Sequence, residues 1–363
     1  MPSPFLFTEK SYPHRTIMKF GLLFQLQDPP NGDNLPRLYD EVFEQAELAE
    51  RVGFAAFFVP EHHQMPDGYL PAPLTFAAAL AARTKKAEVG TGIMQLPLYH
   101  PLQVAEEVAV IDNLSKGRFI LGAGLGLVQK EFAAFGIPLS EAASRFSEAV
   151  EILKQAWTGK PFSHSGPHFQ FTHVTITPRP VRQPRPPIWV GAMSEITLKR
   201  AGRIGDGWMT DPLHSFAVMK AWSQIYRAAA AKAGNPRVEI ALLRDAWVGE
   251  SRAEVERMWW PHIQAYHLFY LRLGFFSSGR FNARWEPWVK EVKSDDEWTF
   301  ARVAPNRLIC GTVNEVVAEI KRYQQALGCQ YMILMLRHPT GPSHQETLKC
   351  IELFGREVLP QCG

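Results

Sequence analysis

From Lys19 onward the chain alternates short apolar runs with longer segments of helical periodicity, eight times over, and few folds accept that rhythm. The run Ala55-Ala56-Phe57-Phe58-Val59-Pro60 is apolar throughout, aromatic-rich and closed by proline, which suits a strand buried on both faces. The helix before it, Leu35–Val52, places Leu38, Val42, Ala46 and Ala49 on one side, and Gly53 ends it as a left-handed cap would. Strands are predicted at Lys19–Gln25, Ala55–Pro60, Glu88–Leu96, Arg118–Ala123, Ile188–Ala192, Gly207–Thr210, Val238–Val248 and Gln330–Leu336. Helices are predicted at Leu35–Val52, Pro73–Thr84, Leu102–Leu114, Ser140–Trp157, Glu195–Arg203, His214–Ala233, Asn314–Leu327 and Gln345–Val358. Eight strand–helix units in 363 residues predict an α/β fold, a (β/α)8 TIM barrel, with a doubly wound open sheet as the alternative.

The barrel is expected to be a single domain over residues 18–363, preceded by a tail of residues 1–17 in which Pro2, Pro4 and Pro13 discourage regular structure. Two insertions interrupt it. One follows the helix of the fourth unit, Pro161–Pro187, with a hairpin from Phe162 to Phe171 around Gly166 and five prolines between Pro178 and Pro187. The other follows strand seven, at about 255–304, and holds twelve aromatics, among them Trp259, Trp260, Trp285, Trp288 and Trp298. So aromatic a stretch is either a small subsidiary core or a cover over the barrel mouth that forms part of an apolar substrate pocket.

Bulk properties exclude several classes of function. With 39 basic and 36 acidic residues, the charge of +3 gives no reason to expect nucleic acid or an anionic membrane as partner. Cys310, Cys329, Cys350 and Cys362 form no CxxC pair and no metal-ligand spacing, so they read as thiols in a reducing compartment. There is no apolar run of membrane-spanning length, and the first residues carry Glu9, Lys10, His14 and Arg15 without a signal-like stretch. A soluble, cytoplasmic protein is the expectation.

Chemistry-bearing residues follow several strands on the one face where parallel α/β folds place their sites. Glu61-His62-His63 follows the second strand and is either a surface turn or an active site. His100 follows the third, in Gln95-Leu96-Pro97-Leu98-Tyr99-His100-Pro101. Gly122, Gly124 and Gly126 follow the fourth. Their GxGxG spacing differs from the dinucleotide fingerprint, and they are either a tight turn or a place where backbone approaches a phosphate. After the fifth, Ser194 is an N-cap or, with Thr197 and the free helix N–H groups, a phosphate holder. No metal is expected: a zinc hydrolase using His62, His63, His100 and an acid would lack the helical HExxH spacing.

These residues resemble the luciferase-like flavin monooxygenases, the family of bacterial luciferase. The resemblance runs from about Met18 to the end. It is carried by Val59-Pro60-Glu61-His62-His63, Leu96–Pro101, Ala105–Ala109, Leu114–Phe119, Pro186–Gly191 and Gly205-Asp206-Gly207-Trp208. It implies a (β/α)8 barrel, often a homodimer, that takes reduced FMN from a separate flavin reductase. In that family O2 adds at the flavin C4a, and the resulting peroxide or hydroperoxide oxidises an organic substrate, here expected to be small and apolar or aromatic. By position, His62 resembles the active-site base or proton donor, Glu61 the residue beside the isoalloxazine, and His100 a secondary active-site histidine. Gly92 and Ile93 match the backbone, often with a non-proline cis peptide, that backs the flavin ring. The turn Gly124, Leu125, Gly126 and Leu127, with Ala192, Met193, Ser194 and Thr197, matches the flavin-phosphate site.

One departure stands out. Bacterial luciferase carries an arginine in the glycine turn where this chain has Leu125, and loss of a charge-assisted pair costs about 1.5–3 kcal/mol, roughly one to two decades of affinity. Weak FMN binding is therefore expected. Two alternatives stay open beside the monooxygenase: a deazaflavin-dependent oxidoreductase on the same fold, and a non-catalytic flavin-binding protein.

Overall fold

The computed structural model describes residues 18–272, 287–292 and 294–362, so the expected tail at 1–17 and part of the aromatic insertion, Trp285 included, lie outside the described residues. Eight parallel strands form the centre: β1 Lys19–Leu23, β2 Ala56–Val59, β3 Glu88–Thr91, β4 Phe119–Gly124, β5 Ile188–Gly191, β6 Gly207–Met209, β7 Glu239–Val248 and β8 Tyr331–Met335. Each pairs with its successor, and β8 returns to β1 with Lys19 opposite Tyr331 and Leu22 opposite Leu334. The sheet is thus closed, and the (β/α)8 expectation holds over the open sheet. Outside it run α1 Leu35–Val52, α2 Pro73–Arg83, α3 Pro101–Ser115, α4 Ala142–Ala156, α5 Glu195–Ile204, α6 Phe216–Lys232, α7 Val313–Leu327 and α8 His344–Leu353.

The local causes are the expected ones. All four residues of β2 are buried, because both the barrel interior and the helix layer cover it. α1 buries Leu38, Val42, Ala46 and Ala49 and stops at Gly53, whose φ of 109° only glycine adopts cheaply. At the amino-terminal end of the barrel the interior is closed by a polar plug. Glu88 meets Lys19 Nζ at 3.1 Å and the Tyr331 hydroxyl at 2.7 Å, while Trp189 Nε1 donates to Glu239 at 3.0 Å. Above it Phe58 and Trp189 stack with ring centres 5.5 Å apart. The opposite, carboxyl end therefore holds the mouth.

Two departures from the predicted elements shape that mouth. The strand expected over Glu88–Leu96 stops at Thr91, turns through a cis Gly92–Ile93 peptide, and resumes as Met94–Gln95 against β4. After β4 the chain makes a short helix, Gln129–Ala134, before reaching α4, where the sequence suggested only a turn. The segment after α4 forms a hairpin, Phe162–Ser165 against Gln170–Val174, held to α4 by Glu148, which accepts from His164 Nε2 at 2.9 Å and Phe169 N at 3.0 Å. After β7 come helices Arg252–Met258 and Trp260–Arg272, and a short strand Ile309–Gly311 that pairs with the end of β7. Trp259 anchors this excursion to the barrel by donating Nε1–H to the Leu336 carbonyl at 3.0 Å. Among the described residues no helix is long and apolar enough to cross a membrane.

Glycine governs how closely β3 and β4 approach at the mouth. A Cβ on Gly122 would overlap the Thr91 carbonyl oxygen, a backbone atom that cannot swing aside. Gly122→Ala is expected to lower stability by about 1–3 kcal/mol through overpacking, read from the midpoint of denaturant unfolding at constant slope.

Candidate active site

β2 ends at Val59, and Pro60 turns the chain so that Glu61, His62 and His63 follow directly at the barrel mouth. The Glu61 carboxylate is fully buried and committed on both oxygens. Oε1 lies 2.6 Å from His63 Nε2 and accepts from the Tyr99 hydroxyl at 2.8 Å, and Oε2 accepts from Gln95 N at 2.7 Å. Glu131, on the short helix after β4, is its counterpart. Its Oε1 lies 2.9 Å from His62 Nδ1 and accepts from His63 N at 2.9 Å, and its Oε2 accepts from Gln95 Nε2 at 2.8 Å. Gln95, which follows the cis turn, therefore links the two carboxylates and sews together the loops after β2, β3 and β4.

This network determines what His62 can do. A carboxylate only accepts, so Nδ1 carries the hydrogen and Nε2 is left as the free edge of the ring. Among the described residues Nε2 has no hydrogen-bond partner, and the side chain keeps 17% of its surface exposed, enough to meet a ligand. The Tyr69 ring covers one face at 4.7 Å between centres, and its hydroxyl donates to Gln25 Oε1 at 2.9 Å. Burial pushes the Glu131 carboxyl up. The hydrogen bond and charge of His62, with the His63 N–H and the Gln95 amide, more than offset this and hold it below its ordinary value.

The other residues singled out from the sequence fall as follows. Ile93 reaches across the mouth: a Cβ on Gly124 would overlap its side chain, and one on Gly191 would lie 3.2 Å from it. Leu125, Gly126 and Leu127 form a half-buried turn in which Gly126 has a φ of 71° and leaves no room for a Cβ beside Gln95 Oε1. Ala192 is buried, and Met193 is half-buried at the same edge. Ser194 and Thr197 form a reciprocal cap on α5. Thr197 N points to Ser194 Oγ at 3.4 Å, Ser194 N donates to Thr197 Oγ1 at 3.0 Å, and the two hydroxyls lie 2.9 Å apart. Their hydroxyls are thus already engaged in the helix cap, and a phosphate there would share them with it. His100 stands apart from the carboxylate network. It is exposed, caps α3 through Nδ1 with Leu102 N at 3.3 Å, and turns its ring edge to Phe169 at 5.4 Å.

The sequence reading missed Glu131, Gln95, Tyr69 and Tyr99. The only local sign was the polar pair Gln95 and Tyr99 inside an otherwise apolar stretch after strand three; Glu131 looks like an ordinary surface glutamate of a short helix. Among the described residues no group of three or more His, Cys, Asp or Glu side chains is placed to hold a metal ion. All four cysteines are buried and unbonded, and burial pushes the thiols of Cys310, Cys329 and Cys350 up to about 12, which suits packing and not nucleophilic chemistry.

A flavin-type coenzyme can be tested against these residues. Half-buried Ile93, Leu125, Leu127 and Met193 give an apolar wall at the mouth, beside glycines whose Cβ atoms would fill it. The capped start of α5 supplies neutral donors near that wall. No lysine or arginine occurs in 124–128 or 191–197, and Glu195 at the helix start is already paired with Lys199 at 2.5 Å. In chemical kind the set suits an apolar ring face and a phosphate held without a cation.

Known proteins resemble this chain over nearly its whole length. A sequence profile of the family described as luciferase-like monooxygenase matches residues 18–330. The oxygenase component of a flavin-dependent trigonelline monooxygenase from Acinetobacter baylyi is 28% identical over 351 residues, covering 94% of this chain and 95% of that protein. An F420-dependent glucose-6-phosphate dehydrogenase from Microbacterium testaceum is 27% identical, covering 89% of this chain and 93% of that one. The crystal structure of the monooxygenase RslO1 from Streptomyces bottropensis superposes with a TM-score of 0.78 at 29% identity, covering 95% of this chain and all 100% of that chain.

The Glu131 network carries a pH signature. A carboxyl held below its ordinary value stabilises the fold above that value, and the contribution is lost as pH falls towards the folded-state value. Glu131→Gln is expected to cost about 1.5–3 kcal/mol at pH 7, with the gap to the native protein narrowing below about pH 4. Chemical denaturation at several pH values checks this, and a gap of constant size would rule out the ionised pair.

Proposed function

The chain belongs to the luciferase-like monooxygenase family, and from that premise we propose that it uses reduced FMN and O2 to oxidise a small apolar or aromatic organic substrate. Family membership makes it an oxidoreductase; the coenzyme, reductase and substrate class are our reading. Bound reduced flavin would supply the electrons that activate oxygen, delivered by a separate flavin reductase. A cytoplasmic homodimer is the setting this reading implies.

The observation that carries it is His62, with one nitrogen tied to a buried carboxylate and the other free at the mouth. Nε2 is the atom that takes or gives the proton. When it takes one, Glu131 stabilises the imidazolium, and because Nδ1 is already hydrogen-bonded the ring does not turn to do so. Glu61 holds the Gln95 end of the cis turn and the neighbouring His63, so we assign it a positioning role. Ile93, Leu125, Leu127 and Met193 would bear on the ring and exclude water, while Gly92, Gly124 and Gly126 leave space for close approach. Ala192, Ser194 and Thr197 would hold the phosphate. His100, capping α3, is assigned at most an outer role at the mouth.

A deazaflavin coenzyme is the second reading, favoured by Leu125 in the glycine turn and by the F420-dependent relative. Titration of the protein with FMN, riboflavin and F420 distinguishes them. If FMN is the coenzyme with its phosphate on neutral donors, its advantage over riboflavin is expected to be at most about tenfold, the worth of neutral hydrogen bonds, with little salt dependence. Tight binding of F420 with none of FMN would replace the first reading by the second. With reductase and O2 present, His62→Ala is expected to keep flavin binding and to lower product formed per flavin oxidised by about 10²-fold or more. Full coupling in that variant would sink the assignment of His62.

A further inference from the structure

Tyr69 is buried, yet it belongs neither to the carboxylate network nor to the apolar wall, and the mechanism above gives it no part. The loop after β2 folds back to bring it over His62. His62 N donates to the Leu70 carbonyl at 3.1 Å, and Leu70 N donates to the Leu26 carbonyl at 3.2 Å. The Tyr69 ring then lies 4.7 Å from the His62 ring between centres, tilted by 35°. This contact differs in kind from the bond at Nδ1. The Glu131 carboxylate fixes one corner of the imidazole but leaves the ring able to pivot about that corner. A flat ring packed over the face blocks the pivot, because either ring could move only by opening a void beside the other.

The hydroxyl end of Tyr69 is clamped in turn. It donates to Gln25 Oε1 at 2.9 Å, and its oxygen lies 3.5 Å from the Tyr270 hydroxyl. A phenol has one hydrogen, and Tyr69 gives its own to Gln25, so Tyr270 is the donor in the second contact. Burial pushes the Tyr69 hydroxyl well above its ordinary value, which keeps it a donor across the working pH range. Gln25 lies just past β1, whereas Tyr270 belongs to the helix Trp260–Arg272 of the excursion after β7. Tyr266 sits one turn before Tyr270 on that helix, and both are buried. The Tyr266 ring lies 4.9 Å from that of Tyr270 and 4.6 Å from that of His338, after β8. The row Tyr266, Tyr270 and Tyr69 thus joins the excursion after β7 to the imidazole after β2.

We propose that Tyr69 is a positioning residue for His62, and that its clamped hydroxyl makes the aim of Nε2 depend on where the helix Trp260–Arg272 stands. Proton transfer needs Nε2 within hydrogen-bond reach of its partner, and a misplacement of about 1 Å costs on the order of 10²-fold in rate. A shift of the helix carries Tyr270 with it, loosens the Tyr69 hydroxyl and frees the imidazole to pivot. The excursion therefore contributes to proton transfer without supplying an atom to the reacting groups.

This role rests on reading His62 as the proton-transfer group, so the first measurement leaves flavin out and the two can fail separately. In the full chain carrying isotope-labelled histidine, the NMR signals of His62 are expected to show one tautomer, with its hydrogen on Nδ1. Tyr69→Phe keeps the ring and loses the clamp, Tyr270→Phe loses the far side of the clamp without touching His62, and Tyr69→Leu loses ring and clamp together. The His62 signals are expected to broaden or to show both tautomers in Tyr69→Leu, and to change less, in the same sense, in the two phenylalanine variants. With reductase and O2, product per flavin oxidised is expected to fall about 3–10-fold in Tyr69→Phe and Tyr270→Phe and about 10–100-fold in Tyr69→Leu, at unchanged flavin affinity. Unchanged His62 signals in Tyr69→Leu would overturn the positioning role, and signals altered in Tyr69→Phe but not in Tyr270→Phe would overturn the link to the excursion. Should Tyr69→Leu not fold, the two phenylalanine variants, each short of a single oxygen atom, decide alone, and native signals in both overturn the proposal. A native protein that forms no product would count against the monooxygenase reading, with the flavin-free signals still deciding the place of Tyr69.

Discussion

Two buried carboxylates, Glu61 and Glu131, hold the mouth of this barrel together. An ionised carboxylate out of water costs several kcal/mol unless its oxygens are fully met, and here every oxygen is. His63, Tyr99 and the Gln95 N–H meet Glu61, while His62, the His63 N–H and the Gln95 amide meet Glu131. These partners come from loops after three successive strands. No one loop can shift without leaving a buried charge uncompensated, so the three move together or not at all. The orientation of His62 follows from this constraint, and with it the one imidazole nitrogen available for proton transfer.

The apolar part of the mouth is built on the complementary principle of close approach. Glycines at 90 and 122 let β3 and β4 pack backbone against backbone, and Gly124 and Gly191 leave room for the Ile93 side chain, which lies across the gap between β4 and β5. The result is a smooth wall of Ile93, Leu125 and Met193 beside a rigid polar corner at His62. Behind it the phenols of Tyr69, Tyr270 and Tyr266 form a buried row. Tyr69 and Tyr270 bring their hydroxyls to 3.5 Å, and the rings of Tyr266 and Tyr270 lie 4.9 Å apart.

Much of this was open to reading along the chain, and the reason differs from element to element. β2 was legible because a strand buried on both faces must be apolar at every position. α1 was legible from its buried stripe and from Gly53. Ser194 and Thr197 were legible as a helix start because a cap is made by residues three apart, and the reciprocal cap is there. His62 was legible by its place at a strand end and by the motif Val59-Pro60-Glu61-His62-His63. Glu131 was not, for its partner His62 lies 69 residues away and nothing near it marks it as buried. His267 and Asp245 are hidden in the same way, since 22 residues separate them along the chain. His100 shows the converse: it follows a strand at the right face, yet its ring nitrogen is taken by the first turn of α3.

The alternation of strand and helix, the barrel that follows from it, and the kinship carried by the motifs after β2, β3 and β5 are all written along the chain. Those are local patterns, written in periods of two and 3.6 residues and in short runs. Which carboxylate meets which imidazole, and that Gln95 binds both glutamates, is settled by the folded barrel alone. Closing the sheet sets strand ends side by side that are far apart along the chain, and a hydrogen bond between them is a property of that closure.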